Sequence, residues 1–428
     1  MNTLPSKNYS QFKKVHAFLM RYFSIWEKEV LNYYPESYES FPSDWVKEIQ
    51  NLSEKEKWLV DSKKSFSPIK NKELANLFNE INNLRDFLSK KFEQTSTYRK
   101  ECTLNIKERT GLKIKKQHEI EQLISFIQEE KSQNSMINGF IDIGGGKGHL
   151  SRLLAQKLNL KGVCLEMNPD FVTKGKALIK EQDVTFSCAH LPEKDIELSK
   201  KILLKNRTSS QDLCLGLHTC GPLANTIIQA CVGNKQAQLL NFGCCYLKLS
   251  PGQSIGISNA SKKYPLPLSK YALTLATRAH TGLTWEDYVM KRKVKSFRYG
   301  IHLFLYDVLG KKQFINVGDG KKQNYQGAFS VYVLSKLSHL GIQCQIKASE
   351  IDQWFLQKEV QQKIDEMFCM NIIRWQFGRA IELWILLDRA CYLEERGYET
   401  KLGEYFNENI SPRNIGIYAK ILSNEKHL

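Results

Sequence analysis

Ile141-Asp142-Ile143-Gly144-Gly145-Gly146-Lys147-Gly148-His149 is the stretch whose reading decides the fold. An apolar run leads into it and amphipathic helical spacing follows, so the glycines fall in a strand-to-helix turn. Gly144 and Gly146 permit the tight turn and let the backbone come close to a ligand, and Gly148 lets the following helix pack against the strand. A dinucleotide fingerprint places its third glycine three residues after the second. That position is His149, and Gly148 comes one residue too early. Residues 151–158 carry helical apolar spacing, and residues 162–167 read as a buried parallel strand ending in an acid. Glu166 follows Gly146 by about 20 residues, the interval at which Rossmann-like units set a carboxylate on ribose hydroxyls.

Strand, glycine loop, helix, second strand and terminal acid, in that order, predict an α/β fold built on a Rossmann-like class I methyltransferase sheet, with S-adenosylmethionine as cofactor. On this reading Asp142 faces the ammonium group of the cofactor, Glu166 the ribose, and Met167 the adenine ring. A third strand is expected over 184–189, with His190 at its end approaching the adenine. A fourth is expected over 212–217 and a fifth over 239–243.

The chain of 428 residues and 49.5 kDa has room for accessory elements around such a core. Residues 1–112 read as a helical accessory domain ending in a basic connector, 100–116. Aromatic and apolar residues at helical spacing over 11–33, with further helices near 45–52 and 73–92, are read as core rather than as a base-stacking surface. Residues 113–250, entered by a helix over 118–130, form the cofactor-binding core. Residues 251–397 read as a mostly helical insertion, with helices over 271–279, 328–340 and 371–396. Residues 300–309 are ambiguous between helix and strand, and Gly397 is expected to stop the long helix. Residues 398–428 are expected to supply a terminal β-hairpin that completes the sheet.

Two clusters fall where ligands bind in parallel sheets, at the carboxyl ends of strands four and five. They are Leu217-His218-Thr219-Cys220-Gly221 and Phe242-Gly243-Cys244-Cys245-Tyr246. The Asp/Asn-Pro-Pro-aromatic motif of amino-directed methyltransferases is absent, which argues against methylation of adenine N6 or cytosine N4. His218 suits a general base, or a cofactor contact, at this position. The cysteines admit three readings: pocket packing, a covalent nucleophile, or zinc ligation. Adjacent cysteines are awkward for a tetrahedral site, so no metal is expected.

These clusters, with KKQHEIEQLI, IDIGGGKGHLSRLLA, LGLHTCGPLA, NFGCCYLKLS, IELWILLDRACYLEE and ISPRN, resemble the methyltransferase-like protein 25 family over nearly the whole chain. A tRNA ribose-2′-O-methyltransferase family is more distantly similar. The resemblance implies that Asp142, Gly144, Gly146 and Glu166 contact the cofactor. It also implies that His218, Cys220, Gly221, Cys244, Cys245 and Tyr246 line the pocket. Glu382, Asp388 and Arg389, also part of the likeness, read as a buried charge network bracing the insertion.

The net charge of +17 and a pI near 9.2 favour a polyanionic partner. RNA (tRNA or rRNA) is the first expectation, with residues 100–116 as its contact. A protein substrate tied to translation and a non-catalytic cofactor-binding module are the alternatives. No run approaches a transmembrane helix, the N-terminus lacks the apolar core of a signal peptide, and eleven cysteines fit a reducing compartment. A cytoplasmic protein without a membrane partner is expected.

Overall fold

Parallel strands that feed helices back across both faces of a sheet become buried on both sides, and this chain builds such a centre. In the computed structural model all five residues of β2 (Gly139–Ile143) are buried. Its neighbours are β3 (Lys161–Glu166) and β5 (Asp212–Thr219), both parallel, with Ile141 facing Val163 on one side and Cys214 on the other. β4 (Val184–Cys188) extends the sheet beyond β3, and β6 (Gln238–Gly243) extends it beyond β5. The last two strands, β7 (Tyr398–Glu404) and β8 (Ile415–Ile421), form an antiparallel hairpin. β8 inserts antiparallel to β6, with Leu240 opposite Tyr418. A two-residue strand, β1 (Ser89–Lys90), runs parallel to β7 at the edge. The order is β1-β7-β8-β6-β5-β2-β3-β4. It reverses between β2 and β5, the switch point beside which ligands bind in such sheets.

The structure describes residues 6–90, 102–133, 137–179, 183–249, 255–278 and 283–422. Lys100 and Glu101 of the basic connector, Lys91 and Phe92 of an expected helix, residues 251–254 and 279–282, and the last residues of the terminal segment (423–428) lie outside them.

The chain divides into two units. The first comprises residues 1–21, 84–280 and 380–428 and contains the sheet. One face of its core joins Phe126, Phe140, Leu154, Leu215, Leu240, Phe242, Tyr405 and Tyr418. Phe126 stands edge-on to Tyr405 and Tyr418, with centroids at 4.9 and 5.3 Å, a favoured aromatic geometry. Helix Lys7–Arg21 belongs to this unit, so residues 1–112 contribute to both units. Its Phe12 ring meets Trp384 at 5.4 Å, and Asn8 donates to Glu394 (2.6 Å) and to the Thr400 carbonyl (3.0 Å). The apolar face of that helix is buried, as core.

The second unit, residues 22–83 and 281–379, is helical. The ambiguous stretch 300–309 is helical: Trp285–Leu303 continues into a π-turn at Phe304–Val308. The expected single helix over 371–396 is instead two, Lys358–Trp375 and Gly378–Glu394. At the break, the amides of Gln376 and Phe377 bond carbonyls three residues back (both 3.2 Å). Such tightened bonding closes a last turn, and glycine at 378 weakens helix continuation. The second helix ends at Glu394, and Gly397 follows three residues later at φ +83°, its amide donating to the Glu394 carbonyl at 3.1 Å.

Candidate functional site

The loop after β2 makes three left-handed steps, at Gly144 (φ +72°), Gly146 (φ +63°) and Gly148 (φ +68°). L-residues with a Cβ resist that conformation. A Cβ at Gly144 or Gly146 would meet no atom within 4 Å, so these two present bare backbone to open space. A Cβ at Gly148 would overlap the Phe186 ring, which presses against the turn from β4. Gly148 is also the N-cap of helix His149–Leu158.

Glu166, at the end of β3, spans the loop. One carboxylate oxygen accepts the Gly146 amide at 3.0 Å, and the other accepts the Asn168 amide at 2.9 Å. Asp142 is buried, and burial pushes its carboxyl pKa up. Its Oδ2 accepts a 2.6 Å bond from Ser151 Oγ and lies beneath Gly145, where a Cβ would strike it at 2.7 Å. The described contacts of Asp142 therefore tie the strand end to the helix under the loop. Met167, at 65% exposure, stands uncovered beside Glu166, and His190 is exposed. Bare glycine backbone opposite a carboxylate, at the switch point, fits an adenosyl cofactor.

On the neighbouring strand, β5 is irregular at His218, which sits at φ +61° between Leu217 and Thr219. A left-handed non-glycine residue is uncommon and concentrates at functional sites. The imidazole Nε2 lies 2.8 Å from Glu119 Oε1. Glu119 comes from helix Ile114–Ser132 and is 1% exposed. Ser411 Oγ donates to the same oxygen at 2.7 Å, and Lys115 Nζ lies 3.6 Å from it. Burial opposes the charge on Glu119, but the bonds from His218 and Ser411 prevail and hold the carboxyl down at about 2. An ionised Glu119 selects the tautomer with the proton on Nε2. Nδ1 then carries the lone pair; it is sheltered from water and has no partner among the described residues. Lys116 acts electrostatically on both Glu119 and Asp142, which links the two halves of the site.

Beyond His218 the thiols gather. Cys220 Sγ lies 3.8 Å from Cys244 Sγ, which lies 3.8 Å from Cys245 Sγ. Arg413 Nη1 donates to Cys245 Sγ at 3.4 Å. The bond from Cys244 lowers the Cys220 thiol to about 5, with help from Cys245, Lys248 and Arg413 against its burial. Cys244, as the donor, is pushed up. Tyr246 is fully buried behind them, its hydroxyl 2.9 Å from the Gly243 carbonyl and 3.2 Å from Glu382 Oε1. Arg389 donates to Asn225 at 2.8 Å and its guanidinium fills the space beside Gly243. Asp388 accepts the Ile257 amide (2.8 Å), the Ser258 amide (3.0 Å) and Ser258 Oγ (2.6 Å). Glu382 and Arg389 thus back the cysteine turn, and Asp388 braces the segment beyond it.

The structure brings His218, Cys220, Cys244, Cys245 and Tyr246 together and sets the glycine loop on the adjacent strand. Glu119, Ser411 and Arg413 were not singled out from the sequence, although they stand in KKQHEIEQLI and ISPRN. Of the basic connector, Arg109 lies 3.4 Å from Glu121, and Lys115 lies 3.6 Å from Glu119. Part of its charge is thus spent within the unit.

Among the described residues no helix is long and apolar enough to cross a membrane. Residues 115–252 match the family described as "Methyltransferase domain". Over 195 residues the chain is 25% identical to "Probable methyltransferase-like protein 25" of Homo sapiens. That match covers 43% of this chain and 32% of the relative, about a third of its length. Strand order, glycine loop and these two similarities make residues 115–252 a methyltransferase domain, which implies S-adenosylmethionine as its cofactor.

Proposed function

We propose that this protein transfers a methyl group from S-adenosylmethionine to an RNA, a tRNA or rRNA, in a reducing, cytoplasmic setting. The cofactor, when bound, supplies an electrophilic methyl on a sulfonium. Gly144, Gly146 and Gly148 form the cradle that admits it. Glu166 meets the ribose hydroxyls while keeping its hold on the loop, and Asp142 maintains the loop from below and offers its charge toward the ammonium group. Met167 and His190 flank the adenine.

His218 is the base that takes the proton from the acceptor group as the methyl arrives. Glu119 acts through His218, fixing its tautomer and stabilising the imidazolium that forms, as carboxylate–histidine pairs do elsewhere. Cys220, Cys244, Cys245 and Tyr246 shape the acceptor side of the pocket. A ribose hydroxyl, or a base N–H or O–H, is the kind of group such a base serves.

The observation that carries this reading is the Glu119–His218 pair at 2.8 Å, set at the end of the strand beside the glycine loop. The RNA assignment rests on the +17 net charge and on Lys113 and Lys115, exposed at the start of the helix that carries Glu119. The test is transfer of methyl label from S-adenosylmethionine into lysate of cells lacking the protein, split into RNA and protein fractions. Label in RNA that disappears with His218→Ala is expected. Label in a protein band instead would make the basic charge incidental and overturn the RNA assignment.

A further inference from the structure

We propose that Cys220, Cys244 and Cys245 bind one thiophilic divalent cation, Zn²⁺, through three thiolates. The three sulfur atoms all lie within 4.8 Å of one another. In a tetrahedral site with zinc–sulfur bonds of about 2.3 Å, neighbouring sulfurs are separated by about 3.8 Å. The two measured separations, Cys220 to Cys244 and Cys244 to Cys245, are both 3.8 Å. Thiolates select zinc and other soft cations over magnesium or calcium.

This reverses the expectation of a metal-free cluster. That expectation rested on adjacent cysteines, Cys244 and Cys245, being awkward for a tetrahedral site. The strand, however, ends at Gly243, and Cys245 (φ −102°, ψ 76°) has left the extended conformation. The turn brings both sulfurs to one side. The other loop is fastened to this one by the backbone: the amide of Gly221 donates to the Cys245 carbonyl at 3.1 Å, and Gly221 itself is left-handed at φ +60°. Cys220 is therefore held against the pair before any ion arrives. Arg413, 3.4 Å from Cys245, supplies the outer-shell N–H to sulfur and the positive charge that three thiolates on a divalent ion call for. No His, Asp or Glu among the described residues joins the group, so water or the acceptor group would complete the coordination. Three protein ligands with an exchangeable fourth is the pattern of reactive rather than purely structural zinc. The inference does not depend on what the methyl acceptor is.

The test is metal analysis of the full chain purified under reducing conditions without chelator, followed by exchange of the metal for Co²⁺. About one zinc per chain is expected, and a thiolate-to-cobalt charge-transfer band after exchange. Cys220→Ser, Cys244→Ser and Cys245→Ser should each weaken Co²⁺ binding at least about 10-fold, while Cys344→Ser in the other unit leaves it unchanged. Alkylation mapping of the wild-type chain needs no variant: Zn²⁺ should protect Cys220, Cys244 and Cys245 together. A wild-type chain that carries no zinc and shows no charge-transfer band on Co²⁺ titration overturns the site. So does protection or binding that survives when all three cysteines are serine; the cluster is then a packed thiol triad.

Discussion

Replacing Glu119 by glutamine keeps the shape of the side chain and removes its charge. The bonds at 2.8 Å from His218 and 2.7 Å from Ser411 then meet a neutral amide. The carboxyl is held at about 2 against an ordinary 4.5. At about 1.4 kcal/mol per unit, this shift contributes about 3 kcal/mol of stability at neutral pH. The sign follows from the depressed folded value. The contribution is present in full above the unfolded pKa, is lost as pH falls from 4.5 toward 2, and is gone below both. Urea unfolding of wild type and Glu119→Gln should therefore differ most at pH 7 and converge as pH falls through that window. The same substitution removes a charge-assisted bond to the proposed base, worth about 1.5–3 kcal/mol, or about 10- to 150-fold in methyl transfer. Cofactor affinity should stay unchanged. A stability difference that is the same at every pH, or absent at pH 7, refutes the linkage. Unchanged transfer by a folded variant refutes the role of the pair.

Three further outcomes test other parts of the account. Gly146→Ala places a side chain in the open side of the loop, at a left-handed φ costing about 1–2 kcal/mol. Calorimetry should show cofactor affinity falling more than about tenfold, and unaltered affinity would mean that the cofactor does not approach there. Gly148→Ala adds overlap with Phe186 to the same backbone strain, so thermal unfolding should report a loss of about 2–5 kcal/mol; a smaller loss than Gly146→Ala would contradict this packing. In chelator-treated protein, Cys220 with its thiol at about 5 should react with iodoacetamide at a nearly constant rate from pH 6 to 8. An ordinary thiol climbs steeply over that range, and such a climb at Cys220, read by mass spectrometry, would show that its neighbours do not stabilise the thiolate.

The cofactor half of the site was legible because its signals are local. Glycines at fixed spacing, a following amphipathic helix and an acid at the next strand end are all set by one strand–turn–helix–strand unit. The acceptor half was legible only as composition. His218, Cys220, Cys244 and Cys245 stood out as unusual residues at strand ends. Their partners did not, because Glu119 lies 99 residues from His218, and Ser411 lies 292 from Glu119. No period or capping rule spans such intervals. The break at Gln376-Phe377 was hidden by the apolar content on both sides, which keeps helical spacing through a tightened turn. The proximity of three thiols was obscured for a related reason: strand alternation sets neighbouring cysteines apart, and only the turn after Gly243 undoes it.

We propose RNA methylation with S-adenosylmethionine through the Glu119–His218 pair. The most direct measurement is methyl-label transfer by purified wild type, His218→Ala and Glu119→Gln into RNA from cells lacking the protein, with cofactor binding followed in parallel. Labelled RNA is expected with wild type, none with His218→Ala, a rate reduced about 10- to 150-fold with Glu119→Gln, and cofactor binding retained in all three. RNA left unlabelled by a wild-type chain that binds the cofactor, or labelling indifferent to His218, would contradict it.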